Sequence, residues 1–380
     1  MAKDSNIPST HPLTPPLTEE AWLDWLRLLR SRRVGVTTFF RLMDEHRTAR
    51  AALEALPDIA AAAGVEHYTP ATLQDAEAEW QAGARAGATP IAFGSSDYPN
   101  LLAEIADPPP FFWAVGDVAR LKQPMTALIG ARNASSLGTR MAKRLAAELG
   151  EMGHVVVSGL ARGVDTAAHL AALETGTLAV MPGGVDVVYP HENAVLAQEI
   201  GEKGLLLSER PMHADVRPRH FVMRDRIISG LCRATVVVEA AAKSGTHTTA
   251  RIALDQGREV LAVPGHPFDA RSAGSNMLIR DGAVLVRHAG DLVEALTPAV
   301  TPAPVAGETT APNPAPARQF SDVVALHDEI LARLDQAPEA QDDLIRALGG
   351  AVDVIGPELV TLELDGRIGR DQAGRLHRVA

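Results

Sequence analysis

The sequence predicts an α/β protein. A mainly parallel sheet with helices on both faces is expected, flanked by a small all-helical N-terminal domain and a C-terminal winged-helix-like domain. Three observations carry this expectation. Between Met125 and about Leu296, short apolar runs alternate with helical stretches, a pattern that implies crossovers between parallel strands. Runs such as Val155-Val156-Val157 are too short for helices and rich in a β-branched residue, which suits buried strands. The two ends differ: helical periodicity alone from Thr18, and three helices followed by a hairpin near the C-terminus.

Composition bounds the function. The chain has 380 residues, of which 46% are hydrophobic and 22% charged, ordinary for a globular protein of two or three domains. The net charge of -11 argues against a protein that coats nucleic acid indiscriminately, although a basic site acts through its local field. A single cysteine, Cys232, excludes an intrachain disulfide framework and fits a reducing compartment. Its neighbours Ile227, Ile228 and Leu231 mark it as a buried, inert thiol. The N-terminal segment lacks the apolar core of a signal peptide, and no apolar run reaches membrane-spanning length. The expected address is the cytoplasm, with no membrane contact.

Residues 1–17 are polar and proline-rich and read as a loose tail. The helical domain is expected over 18–88. Thr18, Glu19 and Glu20 suit a capped helix start before Trp22, Leu23, Trp25, Leu26, Leu28 and Leu29. The Val34-Gly35-Val36-Thr37-Thr38 turn leads into a second helix with Phe39, Phe40, Leu42 and Met43. The module is SAM-like or helix-hairpin-helix-like; Asp24, Asp44 and Glu45 dilute its basic residues, favouring a structural or contact role.

The sheet domain is expected over 89–296. Thr89 to Phe93 is a candidate strand, and Asp107-Pro108-Pro109-Pro110 is a rigid lead into another at Phe111-Phe112-Trp113. Further strand candidates are 126–130, 154–158, 177–181, 204–208, 234–239, 259–263 and 283–287. Helices are expected at 138–152, 164–175, 191–202, 220–231 and 246–257. Residues 297–317 form a Pro/Ala/Thr linker. The last domain, 318–380, has helices at Val323 to Leu334, Gln341 to Leu348 and Pro357 to Leu364, then a turn at Asp365-Gly366 into a strand. Its third helix carries Glu358 and Glu363 and no Lys or Arg, which favours protein contact or a structural role over entry into a DNA groove.

In such sheets ligands bind beyond the carboxyl ends of the strands, so the turns there are where chemistry is sought. The first, Gly130-Ala131-Arg132-Asn133-Ala134-Ser135, lacks G-x-G-x-x-G spacing and disfavours a standard dinucleotide site; Arg132 suggests a charge aimed at phosphate. The second, Ser158 to Gly163 with Arg162, joins a strand to a helix start, where free amide groups can face an anion. Such turns also occur empty, and this one leaves both readings open. Asp165 and His169 follow four apart on one helix face. A hydrogen bond that fixes the turn is preferred to an acid–base pair, because no nucleophile lies beside them. The third turn, Pro182-Gly183-Gly184-Val185-Asp186, runs on to Tyr189-Pro190-His191-Glu192-Asn193 and permits close backbone approach, with or without a ligand. In the fourth stretch Arg210, Arg217, Arg219, Arg224 and Arg226 interleave with His220 and Phe221, a mixture that suits nucleic-acid backbone charges plus base stacking. The fifth, Lys243-Ser244-Gly245-Thr246-His247-Thr248-Thr249, is either a second anion cradle or an ordinary helix cap. No Walker A, H-E-x-x-H, C-x-x-C or G-x-S-x-G pattern is present, so no metal and no cofactor is expected. Many anion-binding devices without catalytic machinery point to a binding protein.

Taken together, SGLARGVDTAAH (158–169), GGVDVVYPHEN (183–193), SERP (208–211), FVMRDRIISGL (221–231), VVVEAAAKSGTHTTA (236–250) and VPGH…GSNMLIRDGA (263–283) resemble the DNA-processing protein A family, DprA or Smf. The likeness spans roughly residues 98–286. It implies a modified Rossmann domain that binds single-stranded DNA without sequence preference and forms homodimers. It further implies loading of RecA onto incoming strands during natural transformation and displacement of single-strand-binding protein. The positions that match the family's DNA pocket are Arg132, Ser158, Gly159, Arg162, Gly163, Phe221, Arg224, Arg226, Ser244, Gly245, Thr249 and Asn276. Arg219 and Lys243 join them on charge, while Asp165, His169, Gly183, Gly184 and Asp186 read as structural members of the motifs. Two departures stand out. The family's Arg-Asn-Arg is Arg224-Asp225-Arg226 here, where Asp225 can pair with an adjacent arginine and remove a phosphate contact. The family's Ser-Gly-Ser is Ser244-Gly245-Thr246, which keeps the hydroxyl.

The leading expectation is therefore a non-catalytic DNA-binding recombination mediator. The alternative is a Rossmann-like enzyme of the nucleotide phosphoribohydrolase kind, with Glu239 or Asp186 acting on a ribosyl bond. A third is an interaction scaffold using the two end domains.

Overall fold

Apolar runs of two to six residues become the strands of one sheet. In the computed structural model, residues 13–297, 323–335, 337–348, 352–371 and 375–379 are described. Among them the sheet holds β1 Thr89–Ala92, β2 Phe111–Gly116, β3 Met125–Ile129, β4 Val155–Ser158, β5 Thr177–Val180, β6 Leu205–Ser208, β7 Ala234–Val237, β8 Glu259–Ala262 and β9 Val284–Leu285. Their spatial order is β1-β2-β6-β5-β4-β3-β7-β8-β9. All neighbours from β6 to β9 are parallel, and only β2 with β6 and β1 with β2 run antiparallel. The chain walks outward from β3 to β6, then returns to place β7 on the other side of β3. That reversal is a switch point, where the flanking loops diverge and a crevice opens.

The helices of this unit are α1 Glu19–Arg30, α2 Val36–His46, α3 Ala49–Ala62, α4 Leu73–Arg85, α5 Asn100–Ala103, α6 Ser136–Glu151, α7 Val164–Ala172, α8 Ala194–Lys203, α9 Pro218–Gly230, α10 Gly245–Asp255, α11 Ala273–Arg280 and α12 Ala289–Leu296. They cover both sheet faces. Val155 and Val157 share a core with Ile227 and Ile228 of α9, while Val156 between them packs with Leu145 and Leu149 of α6 and Ala168 of α7. Full burial of each such side chain stabilises by about 1.5–3 kcal/mol, which is why β4 can be apolar at every core position.

The first four helices build their own core from Trp25, Leu28, Phe39, Leu42 and Leu53. Thr18 caps α1 by accepting from the Ala21 N–H at 3.3 Å, as its position before Glu19-Glu20 predicts. The sheet starts at Thr89, where the helical module is expected to end, but the two are not separate in space. Leu26, Phe111, Trp113, Leu196 and Ile200 share one cluster, with Trp22 and Trp80 packed against it, so helical module and sheet form a single compact unit. A polar latch fixes the join. Glu79 accepts from Arg30 Nε at 2.9 Å and Nη2 at 2.8 Å, and from Trp113 Nε1 at 2.9 Å. Burial pushes the Glu79 carboxyl up, but Arg30 and the indole N–H outweigh it and hold it below its ordinary range. The loose-tail expectation also needs correction at its end: Leu13 packs against the helical core. Residues 1–12, and the linker expected at 297–317 beyond Thr297, lie outside the described residues. No helix among the described residues is long and apolar enough to cross a membrane.

The C-terminal unit comprises α13 Val323–Leu334, α14 Gln341–Leu348, α15 Val352–Leu364, β10 Ile368–Arg370 and β11 Leu376–Arg378. β10 and β11 form the wing hairpin, and Glu339 bridges to Leu376 along its edge. Leu326, Ile330, Leu344, Ile355, Leu359 and Ile368 are its core. The third helix begins before the expected Pro357, which it carries inside; buried Ile355 and Leu359 on either side hold that turn despite the lost N–H. Glu358 meets His327 at 2.7 Å and Glu363 meets Arg370 at 2.9 Å, so these two acids are engaged within the unit.

The Glu79 latch gives a test of how the two halves of the first unit depend on each other. Glu79→Ala leaves Arg30 and the Trp113 N–H without a partner, and is expected to destabilise by about 3 kcal/mol. Thermal unfolding followed by tryptophan fluorescence reads this as a lowered midpoint; an unchanged midpoint would show that the latch contributes nothing.

Candidate nucleic-acid interface

The turns after β3 and β4 are packed onto each other, and two glycines make that possible. A Cβ at Gly163 (φ +79°) would lie 2.3 Å from the Ala131 carbonyl oxygen, and one at Gly130 would strike Val164. Val164 N–H donates to the Ala131 carbonyl at 3.2 Å. Gly163 therefore serves turn-on-turn packing.

At the second turn, which the sequence leaves open to both readings, the amides point inward, and Asp165 and His169 fix the turn as preferred. Gly159 and Ala161 donate to Asp165 Oδ2 at 3.2 and 3.3 Å, and Leu160 donates to His169 Nε2 at 3.3 Å. His169 then donates from Nδ1 to Thr177 Oγ1 at 2.7 Å, and Thr177 donates to the Val156 carbonyl at 2.9 Å. Asp165 and His169 thus stand in for an anion inside the turn. Burial pushes the Asp165 carboxyl up to about 6, against the pull of Arg224 and the two amides. Burial and then Arg224 push His169 down to about 3, which keeps it neutral and able to accept.

Arg224 and Arg226 depart from the expected role of guanidinium groups open to phosphate. Arg224 is 6% exposed, donates from Nη1 to the Val180 carbonyl at 2.9 Å, and lies 3.1 Å from Asp225 Oδ1. Its guanidinium rests on Gly159, where a Cβ would come within 1.8 Å of Nη1. Gly159 is needed, then, to seat an internal arginine. Asp225 is pushed up by burial, opposed by Arg224, and accepts from Thr249 Oγ1 at 2.9 Å. Arg226, 7% exposed, is held by Glu209 and by Asp107 at 3.2 Å. Two further expected ligands are likewise internal. Ser158 Oγ donates to the Leu128 carbonyl at 2.7 Å, and Asn276 clamps Gly265 through both its amide oxygen (3.0 Å) and nitrogen (2.9 Å). Gly183 and Gly184 pack against the carbonyls of Ala214 and Pro211, and Asp186 accepts from His213 N–H at 2.9 Å.

What remains open is a cleft of about 500 Å³ at the switch point, between the turns after β3 and β7 and the start of α9. It gathers Arg132, Phe221, Arg224, Ser244, Gly245 and Thr249 of the expected set. Arg132 is exposed, and its guanidinium carbon lies 5.0 Å from the centre of the Phe221 ring. Tyr189 meets that ring edge-on at 5.6 Å. Ser244 caps α10 by accepting from His247 N–H, and Thr246 Oγ1 donates to the Gly130 carbonyl at 3.1 Å, tying the fifth turn to the first. Arg162, Arg219 and Lys243 are exposed outside this lining; Arg162 Nε is 3.5 Å from Glu192. Among the described residues no group of three His, Cys, Asp or Glu is placed to hold a metal ion. The Cys232 thiol is buried and pushed up by that burial.

A family model described as DNA recombination-mediator protein A matches residues 89–297. The chain belongs to the DprA family. Models of a DprA-like N-terminal HHH domain and a DprA winged helix domain match residues 19–82 and 309–374. DNA processing protein DprA of Bacillus subtilis is 40% identical over 213 residues, 55% of this chain and 72% of that protein. Protein Smf of Escherichia coli is 35% identical over 293 residues, 76% of this chain and 77% of that one. The solved structure of DNA processing protein A from Streptococcus pneumoniae aligns with TM-score 0.57 at 32% identity, over 72% of this chain and 92% of that chain. That from Helicobacter pylori aligns with TM-score 0.51 at 29% identity, over 55% and 95%.

In this DprA chain one charged cleft residue, Arg271, escaped the sequence reading of the site. Arg271 lines the cleft from the loop after β8, paired with Asp269 at 3.0 Å, and Asn133 and Thr248 complete the wall. Nothing in the spacing around Arg271 marks it, since its partner turn is distant in the chain. Tyr189 was legible only as part of the third turn; its packing on Phe221 is tertiary. Gly159→Ala tests the internal arginine. The added methyl displaces the Arg224 guanidinium, and a loss of about 2–4 kcal/mol is expected from a buried charge without its seat. A urea midpoint equal to the parent's would mean that Arg224 finds another seat.

Proposed function

We propose that this protein is a non-catalytic recombination mediator that binds single-stranded DNA at the switch-point cleft. The observation that carries this reading is the Arg132 guanidinium over the Phe221 ring at the cleft rim. A cation beside an aromatic face holds a phosphate and stacks a base without reading its edges, which is how unpaired strands are bound regardless of sequence. The related Helicobacter pylori protein is described as having a unique single-stranded DNA binding mode, and the matched family is described as a recombination mediator. On this reading, site residues are Arg132 and Phe221, with Ser244, Gly245 and Thr249 shaping the wall, and Arg162, Arg219 and Lys243 adding charge nearby. Arg224, Arg226, Ser158, Gly159, Gly163 and Asn276 hold the scaffold. The protein works as a cytoplasmic homodimer. It protects incoming DNA, displaces single-strand-binding protein and hands the strand to RecA during natural transformation.

The phosphoribohydrolase alternative requires a free carboxylate. Glu239 accepts from Ser135 N–H at 2.9 Å and Oγ at 2.5 Å, and Asp186 is bonded to the His213 amide. Both acids are therefore engaged with loop groups. Incubation with nucleoside monophosphates separates the readings, because release of free base at a catalytic rate would favour the enzyme.

Fluorescence anisotropy with oligo-dT across a salt series tests the binding reading. Arg132→Ala is expected to weaken binding and lower the log–log salt slope by about 0.7, one phosphate contact. Phe221→Ala is expected to lose about 1–3 kcal/mol of binding energy with the slope unchanged. Parent-like binding by both variants would sink the assignment.

A further inference from the structure

We infer that a strand leaving the cleft continues through a second, adjoining groove, with a base stacked on Phe268 and phosphates on Arg140 and Lys143. This extension rests on the single-strand reading above. The groove encloses about 570 Å³ between α6 and the loop that follows β8, and its lining includes Leu137, Arg140, Met141, Lys143 and His266. It opens at the same end of the parallel strands as the cleft, since it begins where β3, β7 and β8 stop.

Charge selects the occupant. Arg140, Lys143 and Arg144 are exposed along one stretch of α6. Arg144 is bonded to Glu148 at 2.7 Å, but Arg140 and Lys143 have no acidic partner among the described residues. The acids that line the groove are already satisfied: Glu239 is turned onto Ser135, and Asp269 onto Arg271. A positive patch is left on a chain whose net charge is -11. Such a patch draws a polyanion to one place and not to the surface at large.

The aromatic beside it selects the kind of polyanion. Phe268 is 95% exposed, with one ring neighbour, His266, at 5.6 Å. Leu137 at the head of α6 is 70% exposed. Scattered exposed apolar residues need no explanation, but a bare aromatic carried between His266 and Asp269 of a cationic groove's wall is a stacking platform for an unpaired base.

The two sites also share their walls. The first turn puts Arg132 and Asn133 on the cleft and Ser135 on the groove. The loop after β8 puts Arg271 on the cleft and His266, Asp269 and Ser272 on the groove. A backbone crossing from one to the other therefore passes from Arg132 to Arg140 beside one continuous wall.

The test compares two lengths of oligo-dT, about six and about twenty nucleotides, on the full chain. Two variants are used, the double Arg140→Ala/Lys143→Ala and the single Phe268→Ala, with thermal midpoints as a folding control. On the long oligonucleotide the double variant is expected to bind about fivefold or more weakly, with a salt slope lower by about 1.4, two phosphate contacts. Phe268→Ala is expected to weaken the long oligonucleotide by about fivefold or more and leave the slope alone. Neither variant should change the short one. If both variants bind the long oligonucleotide as the parent does, the groove is not part of the path and faces some other partner, such as an acidic protein segment. Failure of the cleft reading looks different: the short oligonucleotide is then bound equally by the parent and by Arg132→Ala, whatever α6 carries.

Discussion

The buried guanidinium of Arg224 is the constraint on which the site depends. Taking a cation out of water costs several kcal/mol unless it is paired and hydrogen-bonded. Here the Val180 carbonyl, the Asp225 carboxylate and the nearby Asp165 supply that compensation. The geometry propagates from this point. Gly159 must lack a side chain to make room. Its amide then faces Asp165, which with His169 ties down the whole turn after β4. Asp225, drawn toward Arg224, receives the Thr249 hydroxyl and so brings α10 to α9. The floor of the cleft is a closed polar network built around one charge.

The sheet was legible because its strands are buried on both sides. Val155-Val156-Val157 and Leu205-Leu206-Leu207 have no polar alternation to confuse with a surface helix, and glycine turns punctuate each one. The location of the site was legible for the same reason, since the marked turns had to converge at the strand ends. The core shared across residue 88 was not legible. Trp22 and Trp80 look like core residues of a helical module and are shared with Phe111 and Trp113 of the sheet, a fact that no local pattern encodes.

Individual roles were harder to read than position. A cluster of arginines on a helix suggests an outward charge, yet α9 turns Arg224 and Arg226 inward and leaves Val222 and Met223 exposed. Sequence shows which charges are near, not which carboxylate has already claimed them; Glu209 and Asp107 reach Arg226 from two separate segments. Glycines mislead similarly. Gly159, Gly163, Gly183 and Gly184 are all required by protein atoms. Gly245, in contrast, faces open space at the cleft.

The Glu239 carboxylate has a consequence for how the rim behaves as an electrostatic surface. It caps the amino end of α6 from within, at 7% exposure, and Gly138 is bare so that it fits. The dipole of that helix is thereby quenched by the protein's own counterion. At that end of α6 the charge left for an anion is on discrete side chains, Arg140 and Lys143. The amino end of α6 is thus a neutral mount, with its cations set along it like separate fasteners.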